Sequence, residues 1–194
     1  MTKTNPRRID GPWVDGRVLD LHSTGSEFLG CDGFGHEQFD THRTEVGELL
    51  YRLKYRNDAT ATGPLVAVAE EFIRRWRIDF DVIVPVPPTR LRCVQPLHQL
   101  VEELGRRLGV PVVKAVTKNA ASAAELKNLH DYPEREAVLE GALSVESESI
   151  VEKRVLLVDD LIRSGATLNA VAAALSNAGA ATLFAFAFTR TRRQ

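Results

Sequence analysis

The chain has little cysteine. Among its 194 residues only Cys31 and Cys93 occur, far apart and in different contexts. Two isolated thiols build neither a disulfide framework nor a four-cysteine zinc site, and they suit a reducing cytoplasm. An excess of one charge is also lacking: 25 basic residues face 26 acidic ones, for a formal net charge of -1. That balance removes the electrostatic basis for non-specific nucleic-acid binding. No apolar run approaches membrane-spanning length, and the start MTKTNPRRID has no apolar signal core. Internal repeats and low-complexity tracts are absent. The expectation is a cytoplasmic globular protein, long enough for one ordinary domain with a real core and a short extension.

What is present is alternation. Val46, Leu49, Leu50 and Leu53 mark an amphipathic helix. Leu65, Val68, Ala69, Phe72, Ile73 and Trp76 mark a second, opened by Pro64. Leu97, Leu100, Val101, Leu104 and Leu108 mark a third, with Gly109 just past its end. Between and after them, Phe80–Val84, Val112–Val116, Ala142–Val145, Val155–Val158 and Thr182–Phe188 read as strands. Strands alternating with helices predict an α/β fold, with a mainly parallel sheet covered by helices on both faces. Residues 1–44 differ, being rich in Gly, Asp and His. They read as a small β-rich hood, with a hairpin over Trp13–His22 turning at Asp15-Gly16. The α/β unit is expected over residues 45–190, with a frayed basic tail over 191–194. His22, Cys31, His36 and His42 match no metal-ligand spacing.

The segment RVLLVDDLIRSGAT, residues 154–167, carries the chemistry. Val155–Val158 is a buried-type strand, and Asp159 and Asp160 follow it. Then come the small residues Ser164, Gly165, Ala166 and Thr167, and a helix whose face is Leu168, Val171, Ala172 and Leu175. The first amides of a helix have no internal partner and, with the macrodipole, seat an anion. Gly165 permits positive φ and close approach, and Ser164 and Thr167 add hydroxyl donors. The two carboxylates are acceptors only, so their natural partners are sugar hydroxyls or a Mg²⁺ ion brought by the ligand. An anion seat one loop from a hydroxyl-binding acid pair describes a ribose 5-phosphate. The plainer alternative is that the acids or hydroxyls merely cap the helix. A receiver domain also has an acidic strand end, but there the pair opens the chain, whereas here it lies near its end.

VLLVDDLIRSGATL resembles the phosphoribosyl-pyrophosphate (PRPP) motif of type I phosphoribosyltransferases, and the resemblance extends over roughly residues 45–190. The nearest likeness is to the ComF-like, competence-associated branch, which shares an LKY-type helix, a strand ending in PVP and an Arg-bearing stretch after it. The zinc ribbon that often precedes the catalytic part in that branch is not found in residues 1–44. The resemblance implies a Mg²⁺-dependent transferase. Asp159 and Asp160 would hold the ribose hydroxyls and the metal, and Leu161, Ile162, Arg163, Ser164, Gly165, Ala166 and Thr167 would form the loop around the 5-phosphate. It further implies a homodimer, and PRPP or a ribose 5-phosphate-containing nucleotide as the small-molecule partner; the charge balance and the lack of long apolar runs lead to the expectation of neither membrane nor direct nucleic-acid contact.

A PRPP site needs a second anion seat. Pro87, Pro88, Thr89, Arg90 and Arg92, after the Phe80–Val84 strand, supply a stiff turn, a hydroxyl and two guanidinium groups for pyrophosphate. A stretch from Lys118 to Arg135, Ala-rich and then polar, stands where the superfamily has a mobile catalytic loop, and there Lys127 and Arg135 would reach the pyrophosphate; the plainer alternative is an exposed helix with solvated charges. The chain also departs from the branch. Arg92-Cys93-Val94-Gln95-Pro96 replaces the usual Arg-Gly-Phe-Asn-Gln, and Arg163 stands where purine-salvage relatives carry an acidic base. Three functions stay open at this level: transfer to an unidentified nitrogen nucleophile, a catalytically silent PRPP or nucleotide sensor, and an accessory role in DNA uptake.

Overall fold

The computed structural model describes residues 2–88, 95–118 and 143–192. Its centre is the strand that the apolar run over 155–158 predicts. Strand β8, Arg154–Ile162, has Val155, Leu156, Leu157 and Val158 fully buried, so both of its faces are covered. It pairs in parallel with β5, Val82–Pro85, on one side and with β9, Thr182–Arg190, on the other. β9 is as apolar as β8, with Ala185, Phe186, Ala187 and Phe188 at zero exposure. Beyond β9 lies β2, Asp15–Leu21, also parallel, and then the short antiparallel β1, Arg7–Arg8. The sheet order is β1-β2-β9-β8-β5. Four parallel strands therefore end on one edge, where ligands of open α/β sheets bind.

Two expectations are corrected here. The Asp15-Gly16 turn is not formed: both residues lie inside β2, in register with Phe184 and Ala185. A Cβ on Gly16 would meet Trp13 Nε1 at 2.3 Å and the carbonyl oxygen of Ile9 at 2.9 Å. Glycine is needed there because the Trp13 indole, which donates to the Ile9 carbonyl at 3.0 Å, lies against the backbone. It follows that a boundary at residue 44 does not separate a hood from the α/β unit, since β2 belongs to the main sheet. What stands apart is the hairpin of β3, Ser23–Cys31, and β4, Glu37–Arg43, which form their own two-stranded sheet. Phe28 faces Phe39 across it, and both rings are more than half exposed.

The strand expected over Val112–Val116 also shortens. Val112 makes only a single parallel bridge to Ile83, and the chain then turns into β6, Val116–Lys118, which pairs antiparallel with β7, Leu143–Val145. Pro111 opens that segment and its carbonyl accepts from the Ile83 N–H at 2.9 Å, as suits a proline at the edge of a sheet.

The helices are α1, Glu45–Tyr55, α2, Thr62–Trp76, α3, Pro96–Leu108, and α4, Ala166–Asn177. α1, α2 and α3 contact one another in series, and α4 packs on β8 and β9. α1 comes unusually close to the sheet edge. A Cβ on Gly47 would lie 2.0 Å from the carbonyl oxygen of His22, just past β2. Thr44 fixes this approach: its hydroxyl donates to the Leu21 carbonyl at 2.6 Å and accepts from the Gly47 N–H at 3.0 Å. The start of α1 is thereby tied to the end of β2, and its last turn is carried over the edge where β8 ends. Among the described residues, no helix is long and apolar enough to cross a membrane.

Candidate functional site

β8 does not stop at the acids. It runs through Asp159 and Asp160 to Ile162, so both carboxylates leave a strand rather than a loop. The turn that follows is Arg163-Ser164-Gly165, and α4 begins at Ala166 with Gly165 as its N-cap. Gly165 has φ 91°, a left-handed conformation costly for any other residue, and a Cβ built on it would meet nothing within 4 Å. No side chain caps α4 at its N-cap position. The Ser164 hydroxyl sits within the turn instead, accepting from the Ala166 N–H at 3.3 Å. A glycine at positive φ, open space beside it and a helix start with no side-chain cap from its N-cap residue are the features an anion seat requires.

This turn faces a cleft of about 580 Å³. Asp159, Asp160, Leu161, Ile162, Arg163, Ser164, Gly165 and Thr167 line it, so seven consecutive expected residues and Thr167 meet in one place. Ile162 contributes little surface, being 8% exposed. Ala166 is the first residue of α4 but does not line the cleft. On the far wall, the end of β5 continues into Val86 and Pro88, both lining, held by the Val86 N–H donating to the Val158 carbonyl at 2.9 Å. Pro87 is buried and does not line the cleft. Thr89, Arg90, Arg92, Lys127 and Arg135 lie outside the described residues.

Lys54, Gln95 and His98 also line the cleft, outside the motifs that carry the sequence reading. Lys54, in the last turn of α1, places its Nζ 3.0 Å from Asp160 Oδ1 and 2.9 Å from Oδ2. The signal for it is periodicity. Val46 and Leu50 are fully buried, and Lys54 is the next position on that stripe, so a cation continues a core-facing row. Gln95 and His98 enter from the start of α3, and their place after a proline-rich turn offers no comparable signal.

The electrostatics are those of a crowded acid pair. Burial, and then the neighbouring Asp160 carboxylate, push the Asp159 carboxyl up from the usual Asp range toward about 7. The Asp160 N–H donates to its own neighbour's Oδ1 at 2.8 Å, and Lys54 acts against the rise. At the end of β6, burial lowers the Lys118 ammonium, opposed by the charge of Asp159. Burial lowers His98, with Lys114 adding to the effect. His22 is lowered by burial and then by Arg43 and Lys54. Its ring meets the Thr189 hydroxyl at 3.2 Å, and that hydroxyl donates to the Asp160 carbonyl at 3.3 Å. Lys54 thus pairs with the acids, Lys118 lies near Asp159, and the pair is braced from behind through Thr189, while the first turn of α4 holds no acidic residue.

Comparison with known proteins decides the family. The profile of the Phosphoribosyl transferase domain matches residues 65–193, well over half of the chain. The chain belongs to the phosphoribosyltransferase family. It is of the type I, ComF-like kind: Competence protein ComFC of Streptococcus pneumoniae is 24% identical over 158 residues, which is 81% of this chain and 69% of that relative. Among solved structures, the adenine phosphoribosyltransferase of Leishmania tarentolae superposes with a TM-score of 0.50 at 10% identity, covering 96% of this chain and 94% of that one. The glutamine PRPP amidotransferase of B. subtilis also reaches 0.50, at 15% identity, over 88% of this chain. This chain spans only 36% of that amidotransferase. The likenesses in structure establish the fold.

Proposed function

We propose that the cleft binds PRPP, with the 5-phosphate on the amides that open α4 and the vicinal hydroxyls on Asp159 and Asp160, and that the chain transfers the 5-phosphoribosyl group to a nitrogen nucleophile. The observation that carries this reading is the pairing, within one cleft of about 580 Å³, of an uncapped helix start behind Gly165 with two carboxylates. Phosphate and diol are thereby recognised by opposite chemistries from one strand-turn-helix unit. In the reaction, the C1–O bond to pyrophosphate breaks and pyrophosphate leaves with the electron pair. A C1–N bond forms to the acceptor, whose surplus proton goes to solvent. No side chain needs to act as a nucleophile. The chain's contribution is to hold the sugar at both ends and to offer positive charge to the leaving group, a task for which Arg90, Arg92, Lys127 and Arg135 are the proposed groups.

A divalent cation fits the donor set on one condition. Among the described residues, no cluster of three or more His, Cys, Asp or Glu side chains is arranged to hold a metal. Asp159 and Asp160 are the two carboxylates of the cleft, and Asp160 is already engaged by Lys54. Mg²⁺ would therefore arrive with the pyrophosphate oxygens, the acid pair adding at most a side of its shell, which is how Mg²⁺ commonly binds phosphate ligands. When bound, it would neutralise charge developing on the leaving group.

The test is pyrophosphate release from PRPP with Mg²⁺ across a panel of ammonia, amines and nucleobases, with release expected for at least one acceptor. Hypoxanthine and guanine should not be accepted, because Arg163 cannot take a proton from a purine ring nitrogen at neutral pH. Nucleotide formation from either base contradicts that assignment. A second reading is a PRPP or nucleotide sensor without chemistry, favoured by the altered Arg92–Pro96 stretch. It predicts binding with no pyrophosphate release from any acceptor. The likeness to a competence protein supports an accessory role in DNA uptake, which a salt-sensitive DNA gel shift would favour.

A further inference from the structure

We infer that Lys54 is a positioning residue for the sugar end of this cleft: by straddling both oxygens of Asp160 it fixes the carboxylate that would receive the vicinal hydroxyls. The inference rests on the ribose-phosphate reading above. The contacts are 3.0 Å to Oδ1 and 2.9 Å to Oδ2, and the two side chains are 18% and 17% exposed. A pair this far from water is held by geometry rather than by chance encounter. The geometry is built from both sides. α1 is tied at its start by Thr44 to the Leu21 carbonyl and lowered onto the sheet edge at Gly47. Its last turn, where a helix favours a cation, then delivers Lys54. On the other side, the Thr189 hydroxyl holds the Asp160 carbonyl.

The pair does not have to open for a ligand to bind. A carboxylate offers about four lone-pair positions, and two contacts from one ammonium leave the others for hydroxyl donors. Two other roles predict different outcomes. A lysine that gripped the pyrophosphate itself would matter for PRPP and not for ribose 5-phosphate. A purely structural ion pair would matter for neither.

Calorimetric titration of the full chain separates these roles, using ribose 5-phosphate, PRPP with Mg²⁺, and 2,3-dideoxyribose 5-phosphate, which lacks the diol. Lys54→Met is expected to weaken ribose 5-phosphate and PRPP by the same factor, about tenfold or more, in line with the loss of an interaction with a charged group. The dideoxy sugar should change by less than about twofold, and Lys54→Arg should recover part of the loss. A loss confined to PRPP, or no loss for either natural ligand, overturns the inference. If Lys54→Met does not fold, Lys54→Gln is titrated in its place with the same outcomes expected. Wild-type protein that binds none of the three ligands overturns the ribose-phosphate reading itself, a result distinct from a silent Lys54.

Discussion

One strand carries an acid–cation cluster at each end, and the two are opposites. At the start of β8, Arg154 meets Asp81 through Nε at 3.1 Å and through Nη2 at 2.6 Å, its backbone N–H adds a third bond at 2.9 Å, and its remaining nitrogen reaches Asp79. Those bonds hold the Asp81 carboxyl well below the usual range. At the end of the same strand, Asp159 is pushed the other way by burial and by Asp160. The first cluster satisfies its own charges and fastens β8 to the loop before β5. The second buries one carboxyl beside another, next to a helix start in a cleft, as the proposed ligand site requires. Charge clusters that look alike in sequence are separated by how fully they satisfy themselves.

Substitutions at the two ends should therefore have opposite readouts. The largest effect is expected at the cleft. Asp160→Asn or Thr167→Ala should lower PRPP affinity by about tenfold or more in calorimetry, since each removes a hydrogen bond to a charged or phosphorylated group. Arg154→Met should do the converse, lowering the melting temperature by several degrees while leaving PRPP affinity within about twofold. Equal losses of affinity at both ends would erase the distinction.

Gly165→Ala comes next. It forces a side chain into the left-handed region at φ 91°. The expected stability loss is about 1–2 kcal/mol in denaturant titration, with weaker phosphate binding as the turn shifts. An unchanged midpoint would mean that the turn has no need of glycine.

The smallest effect depends on pH. Because the Asp159 carboxyl is raised, the folded state holds its proton more tightly than the unfolded chain does. The stability this group contributes therefore declines as pH rises from the ordinary Asp value of 3.8 toward about 7, and it is lowest above that. Asp159→Asn should equal wild type in stability near pH 4 and exceed it by on the order of 1–2 kcal/mol near pH 8. A constant difference across that range would mean that Asp159 is not the titrating group.

Much of this was legible before any coordinates. The apolar run at 155–158 and the α4 face at Leu168, Val171, Ala172 and Leu175 became fully or almost fully buried elements, because burial on both faces or along one stripe leaves a periodic signature. The Asp15-Gly16 pair carries the usual turn signal, but its glycine is needed because the Trp13 indole lies against the backbone of β2, which the dipeptide itself does not show. The acid pair and the glycine turn could be read off 14 adjacent residues. The place of Lys54 on the buried stripe of α1 is legible, but its partner is not, since Asp160 is 106 residues away and is reached only through the docking of α1 at Gly47. Local chemistry is written locally, and the counter-ion that completes it depends on the fold.

The most direct test is a crystal structure of the full chain with Mg²⁺ and PRPP. The account predicts the 5-phosphate on the amides following Gly165, the ribose hydroxyls on Asp159 and Asp160, and Lys54 still bridging Asp160. Density for PRPP elsewhere, or a phosphate seat filled by the protein's own side chains, would contradict it.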